Sequence, residues 1–521
     1  MRRGKPLLHM KQNFLKGAII ISVGGIAAKI LGAFYRIPLT NILGGEGMGV
    51  YQMVYPLYCL LLTVSATGIP SGLARIVSSA ESRGDHAKSR AVLFKSLLLF
   101  SGVGLCGSAL MFLLAPVMSA AQGEIGAVAA YRALAPGVFF VSVLSCLRGW
   151  FQGKSNFFPT AFSEICEQAV KVALGLFFAR AFRGEPFKAV ARTLASVTFS
   201  EFAACLLLAF LAWGERTKRP LFRERVQDLR AKQLLRVTIP VTVAAGLLPL
   251  SNLLDSILIV RLVGRYASNA TALYGLYAGA AATLVNLPVS VCYGIAAAII
   301  PAVSACQSKG LLREAEERTL FALKCTLFLS LPAAAFLLAF PSGVTSFLFS
   351  SVTGAEGETL ASLVRALALT AVFLSCVQTL AACLTGRGKP KIAAFAMTAA
   401  VAFKLVAEFV LLQFPQISVL GAAYAAIGCY FVALAADLLY SIRERKNRIA
   451  VLAYFFKFSA MSAAAVFCAA AAARVHVLLA LCAAALIYLA LAVLLRAFSA
   501  QELQFTRRNH HAHHRRAGMQ S

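Results

Sequence analysis

Lys29 and Arg36 stand inside an otherwise apolar stretch, KILGAFYRIPLTNILGGEGMGVYQMVYPLY, residues 29–58. Ser22, Gly25, Lys29, Gly32 and Arg36 recur at intervals of 3, 4, 3 and 4, which puts all five on one stripe of a helix. A small, polar, cationic stripe suits the capture of a dense anion with space left beside it. With Lys16 at an inner membrane interface, Lys29 lies ~20 Å along the axis, inside the apolar layer, and Arg36 lies near its outer boundary. A charge at that depth costs ~2.5–3.5 kcal/mol, so it faces a bundle interior or a wet cavity. For Arg36 the competing reading is a cation that snorkels or meets Glu46.

Further charges recur at helical spacing. Glu164, Glu167 and Lys171 share one face, as do Lys404 and Glu408; the plain reading of Glu167 with Lys171, and of Lys404 with Glu408, is a compensated i,i+4 pair. Arg132 and Arg365 are either cargo contacts or interface anchors. Asp255, which shares a face with Asn252, and Glu201 are the remaining acids at membrane depth and the candidates for a proton or cation site. Pro70 in SATGIPSG, and Pro288 and Pro301 around Gly294, mark candidate hinges at a midplane site. No GxxxxGK[ST], HExxH or GxSxG occurs, so neither ATP hydrolysis nor another enzyme activity is expected, and no cofactor or metal. Coupling would come from the membrane potential or a monovalent cation. The HHAHH run at 510–514 reads as a solvated tail.

These residues need elements to hold them. Of the 521 residues 60% are hydrophobic and 14% charged, far more apolar than a soluble domain. The chain reads as an all-α integral membrane protein, because open strands cannot pair their backbone in lipid. Spans are expected at 14–39, 48–74, 91–115, 125–147, 157–179, 193–213, 237–260, 271–302, 319–340, 360–385, 392–413, 418–440, 451–473 and 477–496, fourteen in all. The first is retained, with no cleavage site. Thirteen cysteines, odd in number and mostly within the spans, read as small buried hydrophobes. Alternate connections and flanks collect 37 Lys and Arg on one side and 7 on the other, which places both termini in the cytoplasm. Arg180, Arg183, Lys188 and Arg192 resist this pattern. The formal charge of +29 is therefore a topology signal, and nucleic acid is not an expected partner.

RALAPGVFFVSVLSCLRGWFQG from Arg132 and RALALTAVFLSCVQTLAACLTG from Arg365 align at an offset of 233, with twelve identities over forty positions that include Gly153 with Gly386 and Lys171 with Lys404. GIPSGLARIVSSAESRG from Gly68 echoes GIAAAIIPAVSACQSKG from Gly294 at an offset of 226. The expected organisation is a cytoplasmic N-terminus (1–13), a six-helix lobe (14–213), a cytoplasmic connector (214–236), a pseudo-symmetric second lobe (237–440), two appended helices (451–496) and a basic tail (497–521). Six helices return the chain to its starting side, so the lobes are parallel repeats, the plan of an alternating-access transporter.

The 29–58 stretch, followed by GIPSGLARIVSSAESRGD and TLVNLPVSVCYGIAAAIIPAVS, resembles the stage V sporulation protein B branch of the polysaccharide-exporter and multidrug (MOP) superfamily, itself related to the MurJ-type lipid II flippases. The resemblance spans nearly the whole chain. It implies a cavity in which cations of the first, second and eighth helices meet a lipid-linked pyrophosphate, and Lys29 matches the first of them. The second cation of that helix falls at Tyr35 or Arg36 depending on register, the second-helix acid at Tyr51 and the eighth-helix Arg near Thr283. The implied function is export of an undecaprenyl-linked saccharide, a lipid II-type peptidoglycan precursor for the vegetative wall or the spore cortex. Its setting would be a bacterial plasma membrane, beside cell-wall synthesis proteins. A multidrug or cation antiporter is the alternative, and it would need carboxylates such as Asp255 or Glu201 facing the cargo.

Overall fold

The computed structural model describes the backbone of residues 5–66, 68–214, 231–442 and 445–498, and the side chains of these except 5–23, 25, 26, 29, 30, 33, 231–245 and 445. The side chains of Ser22, Gly25 and Lys29, the 1–13 segment, nearly all of the 214–236 connector and the HHAHH tail thus lie outside the described residues. Among the described residues there is no strand.

The helices in order are α1 (Lys5–Ala66), α2 (Ile69–Glu81), α3 (His86–Ala121), α4 (Val128–Gly153), α5 (Phe158–Ala181), α6 (Pro186–Gly214), α7 (Ala231–Val263) and α8 (Ala270–Tyr274). A π-helical turn, Gly275–Ala281, joins α8 to α9 (Ala282–Gln307). Then come α10 (Leu312–Ala339), α11 (Pro341–Leu348), α12 (Gly354–Gly386), α13 (Pro390–Leu411), α14 (Leu420–Ser441), α15 (Arg445–Ala473) and α16 (Val477–Leu494). α1 is two rods meeting at an elbow, Gly44, whose φ of 70° and ψ of −175° are non-helical. α2 completes the second rod, the π-turn fuses α8 with α9, and α11 is short, which leaves fourteen long rods among the described residues.

Twelve described stretches are long and apolar enough to cross a membrane, one of which, Phe34–Glu81, contains the elbow. α5 is not among them because it carries Glu164, Glu167, Lys171 and Arg180. This is a multi-pass membrane protein. The sixth span starts earlier than expected, at Pro186. Lys188 is paired with Glu185 at 2.5 Å and Arg192 lies 5.8 Å over the Phe182 ring, so two of the four cations that resist the charge pattern are held at the mouth of α6.

In the first lobe α4 packs on α2, α3 and α6, and α5 on α1 and α6; in the second α12 packs on α9, α10 and α14, and α13 on α14 and α7. α15 leans on α10 and carries α16. The sequence repeat is visible in packing. The α-carbon of Gly153 faces Val77 and that of Gly386 faces Val303, and both pairs are related by the same two offsets. Ser155 and Gly388, also equivalent, both adopt left-handed φ, 58° and 73°.

The lobes lock together on the face that carries Gly44. Gln122 Nε2 donates to Met53 O at 3.0 Å and to Ser256 Oγ at 2.8 Å. Arg261 Nε donates to Ala121 O at 2.8 Å, Thr271 Oγ1 to Glu124 Oε2 at 3.0 Å, and Asn41 Nδ2 to Leu348 O at 2.8 Å. Gly49 and Gly275 lie so close that a Cβ on either would overlap backbone atoms, of Thr271 and of Gly45 respectively.

Candidate functional site

Inside this closed face a cavity of about 350 Å³ lies between the lobes. Each wall follows from helical spacing. α1 contributes Arg36 from its first rod and Gln52, Tyr55 and Cys59 from its second, the last three at i, i+3 and i+7 on one face. α7 contributes Asn252 and Asp255, the pair whose shared face the spacing predicts. Tyr274, Tyr277 and Asn286 from the α8–α9 rod, and Lys404 and Tyr430 from α13 and α14, complete the lining. The π-turn bearing Tyr277 is a bulge of the kind that re-aims side chains at functional sites.

Lys404 Nζ donates to Asp255 Oδ2 and lies 3.6 Å from Glu408 Oε1. All three residues are buried, Glu408 completely, at 0% exposed. Lys404 therefore does more than compensate Glu408 within its own helix: it bridges α13 to α7. Asp255 Oδ1 and both Glu408 oxygens are buried with no hydrogen-bond partner.

A second network occupies the first lobe, off the cavity lining. Tyr58 donates to Glu201 Oε1, and Glu201 is buried at 3% exposed. Glu167 pairs with Arg148 at 2.9 Å, whose Nε also donates to Ser163 Oγ at 3.1 Å. The simple Glu167–Lys171 pair thus gives way to an α4–α5 bridge, because the rigid guanidinium fork of Arg148 reaches both α5 acceptors. Lys171 is partly buried, with Glu167, Arg36 and Glu201 in electrostatic reach, and Glu164 is partly buried on the same helix.

The remaining sequence candidates fall elsewhere. Arg132 is exposed and its guanidinium sits 4.9 Å over the Phe112 ring; Arg365 is exposed too, and neither lines the cavity. Tyr35 and Arg36 are told apart, since the Tyr35 hydroxyl packs against Gly175 whereas Arg36 lines the cavity. Tyr51 is buried and stacks on Tyr55 at 5.6 Å. Thr283 bonds back to Gly279 O at 2.6 Å and contributes nothing to the lining. Pro70 opens α2 just after the chain leaves helix at Gly68, and Pro288 and Pro301 sit within a continuous α9. Sequence reasoning missed Gln52, Asn286, Arg148 and the tyrosines of the cavity. The stripe Tyr51, Tyr55, Tyr58 was the available signal.

A family model described as polysaccharide biosynthesis protein matches residues 14–307, more than half of the chain. Stage V sporulation protein B of Bacillus subtilis (strain 168) is 30% identical over 305 residues, 56% of this chain and 58% of that protein. The lipid II flippase MurJ of the same organism is 24% identical over 435 residues, covering 78% and 79% of the two chains. Among solved structures, a lipid II flippase MurJ in an inward closed conformation superposes with a TM-score of 0.71 at 14% identity, over 92% of this chain and 99% of that one. An inward-facing multidrug resistance MATE family transporter of the MOP superfamily gives 0.67 at 16% identity, over 84% and 98%. The two-lobed bundle is thus a shared fold, and the chain belongs to the polysaccharide biosynthesis protein family.

Proposed function

We propose that the protein is an alternating-access flippase for an undecaprenyl-linked cell-wall saccharide, a lipid II-type peptidoglycan precursor, moving it from the inner to the outer leaflet of a bacterial plasma membrane. The observation that carries this reading is the sign of the cavity wall. Arg36 and Lys404 are its cations and Asp255 its carboxylate; Lys404 neutralises Asp255, and no described carboxylate is within ion-pair distance of Arg36. Among the lining side chains one positive charge is in excess, Glu408 being buried behind Lys404 and off the lining, which suits a pyrophosphate and opposes a cationic drug. A cation antiporter would need an uncompensated acid there, and Glu201 is held by Tyr58 away from the lining. Asn252, Asn286, Gln52 and the tyrosine hydroxyls offer the donors and acceptors a sugar requires.

Lys29 stands seven residues, about two turns, before Arg36 in the first rod of α1. With both termini cytoplasmic, the locked face is the outer gate. The break before Pro70 and the prolines of α9 supply the bending that exchange of access requires. The test is reconstitution of the purified protein in vesicles with a fluorescent lipid II, measuring its movement between leaflets. Movement that Arg36→Ala lowers by about tenfold to a hundredfold is the expected result; a protein that moves cationic dyes and leaves lipid II in place would sink the reading.

A further inference from the structure

The first lobe carries a lysine in the place that Lys404 holds in the second, without the acids that tie Lys404 down. The offset of 233 that matches Lys171 with Lys404, carried four residues on, matches Gly175 with Glu408. Where Asp255 of α7 bonds Lys404, α1 brings Tyr35, whose hydroxyl packs against Gly175. The two carboxylates around Lys404 are thus replaced in the first lobe by a phenol and a glycine. Packing of α5 on α1 fixes the level of Lys171. The two helices run side by side in the same direction, Gly24 facing Ala161, Gly32 facing Gln168 and Tyr35 facing Gly175, so Lys171 lies level with the turn from Gly32 to Arg36. Arg36 and Cys59, both in the cavity lining, are in electrostatic reach of it. Its acidic neighbours are engaged elsewhere: Glu167 pairs with Arg148 at 2.9 Å, and Glu201 accepts from Tyr58. No described carboxylate is within ion-pair distance of Lys171, so two cations stand near each other at the edge of the cavity. Like charges in a weakly polar interior repel unless an anion joins them. The second lobe supplies that anion from its own sequence, and the first does not.

We infer that Lys171 is a second cargo-binding cation, which reaches the cavity on its flexible stem and shares the pyrophosphate with Arg36. Each phosphate of the diphosphate then meets one cation. Arg36 offers a planar fork and Lys171 a compact ammonium with three donors, and neither gives up a resident ion pair to bind. Lys404 would have to leave Asp255 and Glu408 to do the same. The charged end of the cargo is therefore held by the first lobe, and its saccharide meets the second lobe's Asn252, Asn286 and tyrosines. The inference rests on the flippase reading and adds to it which lobe holds which part of the lipid.

Binding to the full chain in nanodiscs tests it, with undecaprenyl pyrophosphate and undecaprenyl monophosphate as the probes. The wild type is expected to favour the pyrophosphate. Lys171→Met, close in size and uncharged, is expected to bind the pyrophosphate about tenfold to a hundredfold more weakly, the loss of one charged hydrogen bond. It should bind the monophosphate nearly as well as wild type, so that the preference shrinks, and Lys171→Arg should restore part of it. Equal loss for both lipids marks a structural lysine and overturns the inference, as does a wild type without the preference or a preference that Lys171→Met leaves unchanged. If Lys171→Met does not fold, acetylation of Lys171 in the wild type decides, read from its peptide by mass spectrometry. Protection by the pyrophosphate is expected; labelling that is absent, or that the lipid leaves unchanged, overturns the inference. A wild type that binds neither lipid overturns the flippase reading and the inference with it, whereas wild-type binding that ignores Lys171 sinks the lysine alone.

Discussion

The Lys404 ammonium bonds the Asp255 carboxylate across the boundary between α13 and α7, tying residues 149 apart in the chain. Taking away one member of a buried pair strands the other, which costs about 3–5 kcal/mol. Lys404→Met strands both Asp255 and Glu408 and should destabilise the detergent-solubilised protein by that order, whereas Asp255→Leu leaves Lys404 paired with Glu408 and should cost less. The variant Lys404→Met, Asp255→Leu should recover part of the Lys404→Met loss, because one buried carboxylate is left where the single variant leaves two. A double-mutant cycle on unfolding measures the coupling; strictly additive effects would mean that the pair is independent of the fold.

Arg36 is the cavity cation with no bonded acid among the described residues. Arg36→Ala should lower lipid II movement by about tenfold to a hundredfold, the worth of a hydrogen bond to a charged group at ~1.5–3 kcal/mol, with protein abundance near normal. Arg36→Lys should keep part of the rate, since charge survives and the fork does not. Lys29→Ala should behave like Arg36→Ala. Vesicle transport, corrected for the amount of folded protein, checks all three.

Glu124 and Thr271 touch across the locked face at 3.0 Å. A Glu124→Cys, Thr271→Cys protein, oxidised to join the lobes there, should stop transport and regain it on reduction. Unchanged transport in a fully cross-linked sample would mean that this face stays shut throughout the cycle.

Ser155 and Gly388 share a left-handed backbone at equivalent turns, and only glycine adopts that region without steric cost. Ser155→Gly should raise stability by up to about 1 kcal/mol, whereas Gly388→Ala should lower it by about 1 kcal/mol. Thermal unfolding of the two variants under one condition reads the opposite signs.

Replacing Pro70, Pro288 and Pro301 together with Ala should slow turnover and spare binding of the lipid precursor, because none of the three lines the cavity and each limits helix regularity. Binding and transport measured separately on the same folded preparation decide the matter. Equal transport rates would remove the hinge.

The rods were legible because each is an apolar run punctuated by glycine, proline or charge. The expected 157–179, 392–413 and 477–496 correspond to Phe158–Ala181, Pro390–Leu411 and Val477–Leu494. Asn252 with Asp255 was legible as well, since helical spacing alone puts both on one face. Arg148 with Glu167, and Tyr58 with Glu201, were not: their members come from different helices, 19 and 143 residues apart, and no periodicity announces such a meeting. Arg132 and Arg365 teach the converse. Their match across the repeat reflects equivalent places on the scaffold, and those places face outward.

The first and second rods are joined by Gly44 alone, with helix on both sides of it. Arg36 lies one side of that joint and Tyr55 the other, and both line the cavity. A one-residue joint has no slack, so a tilt of either rod is transmitted to the other, as in a lever on a short pivot. Lengthening the joint with a few flexible residues would leave both walls intact and uncouple their motion, and the protein would then hold its cargo without delivering it.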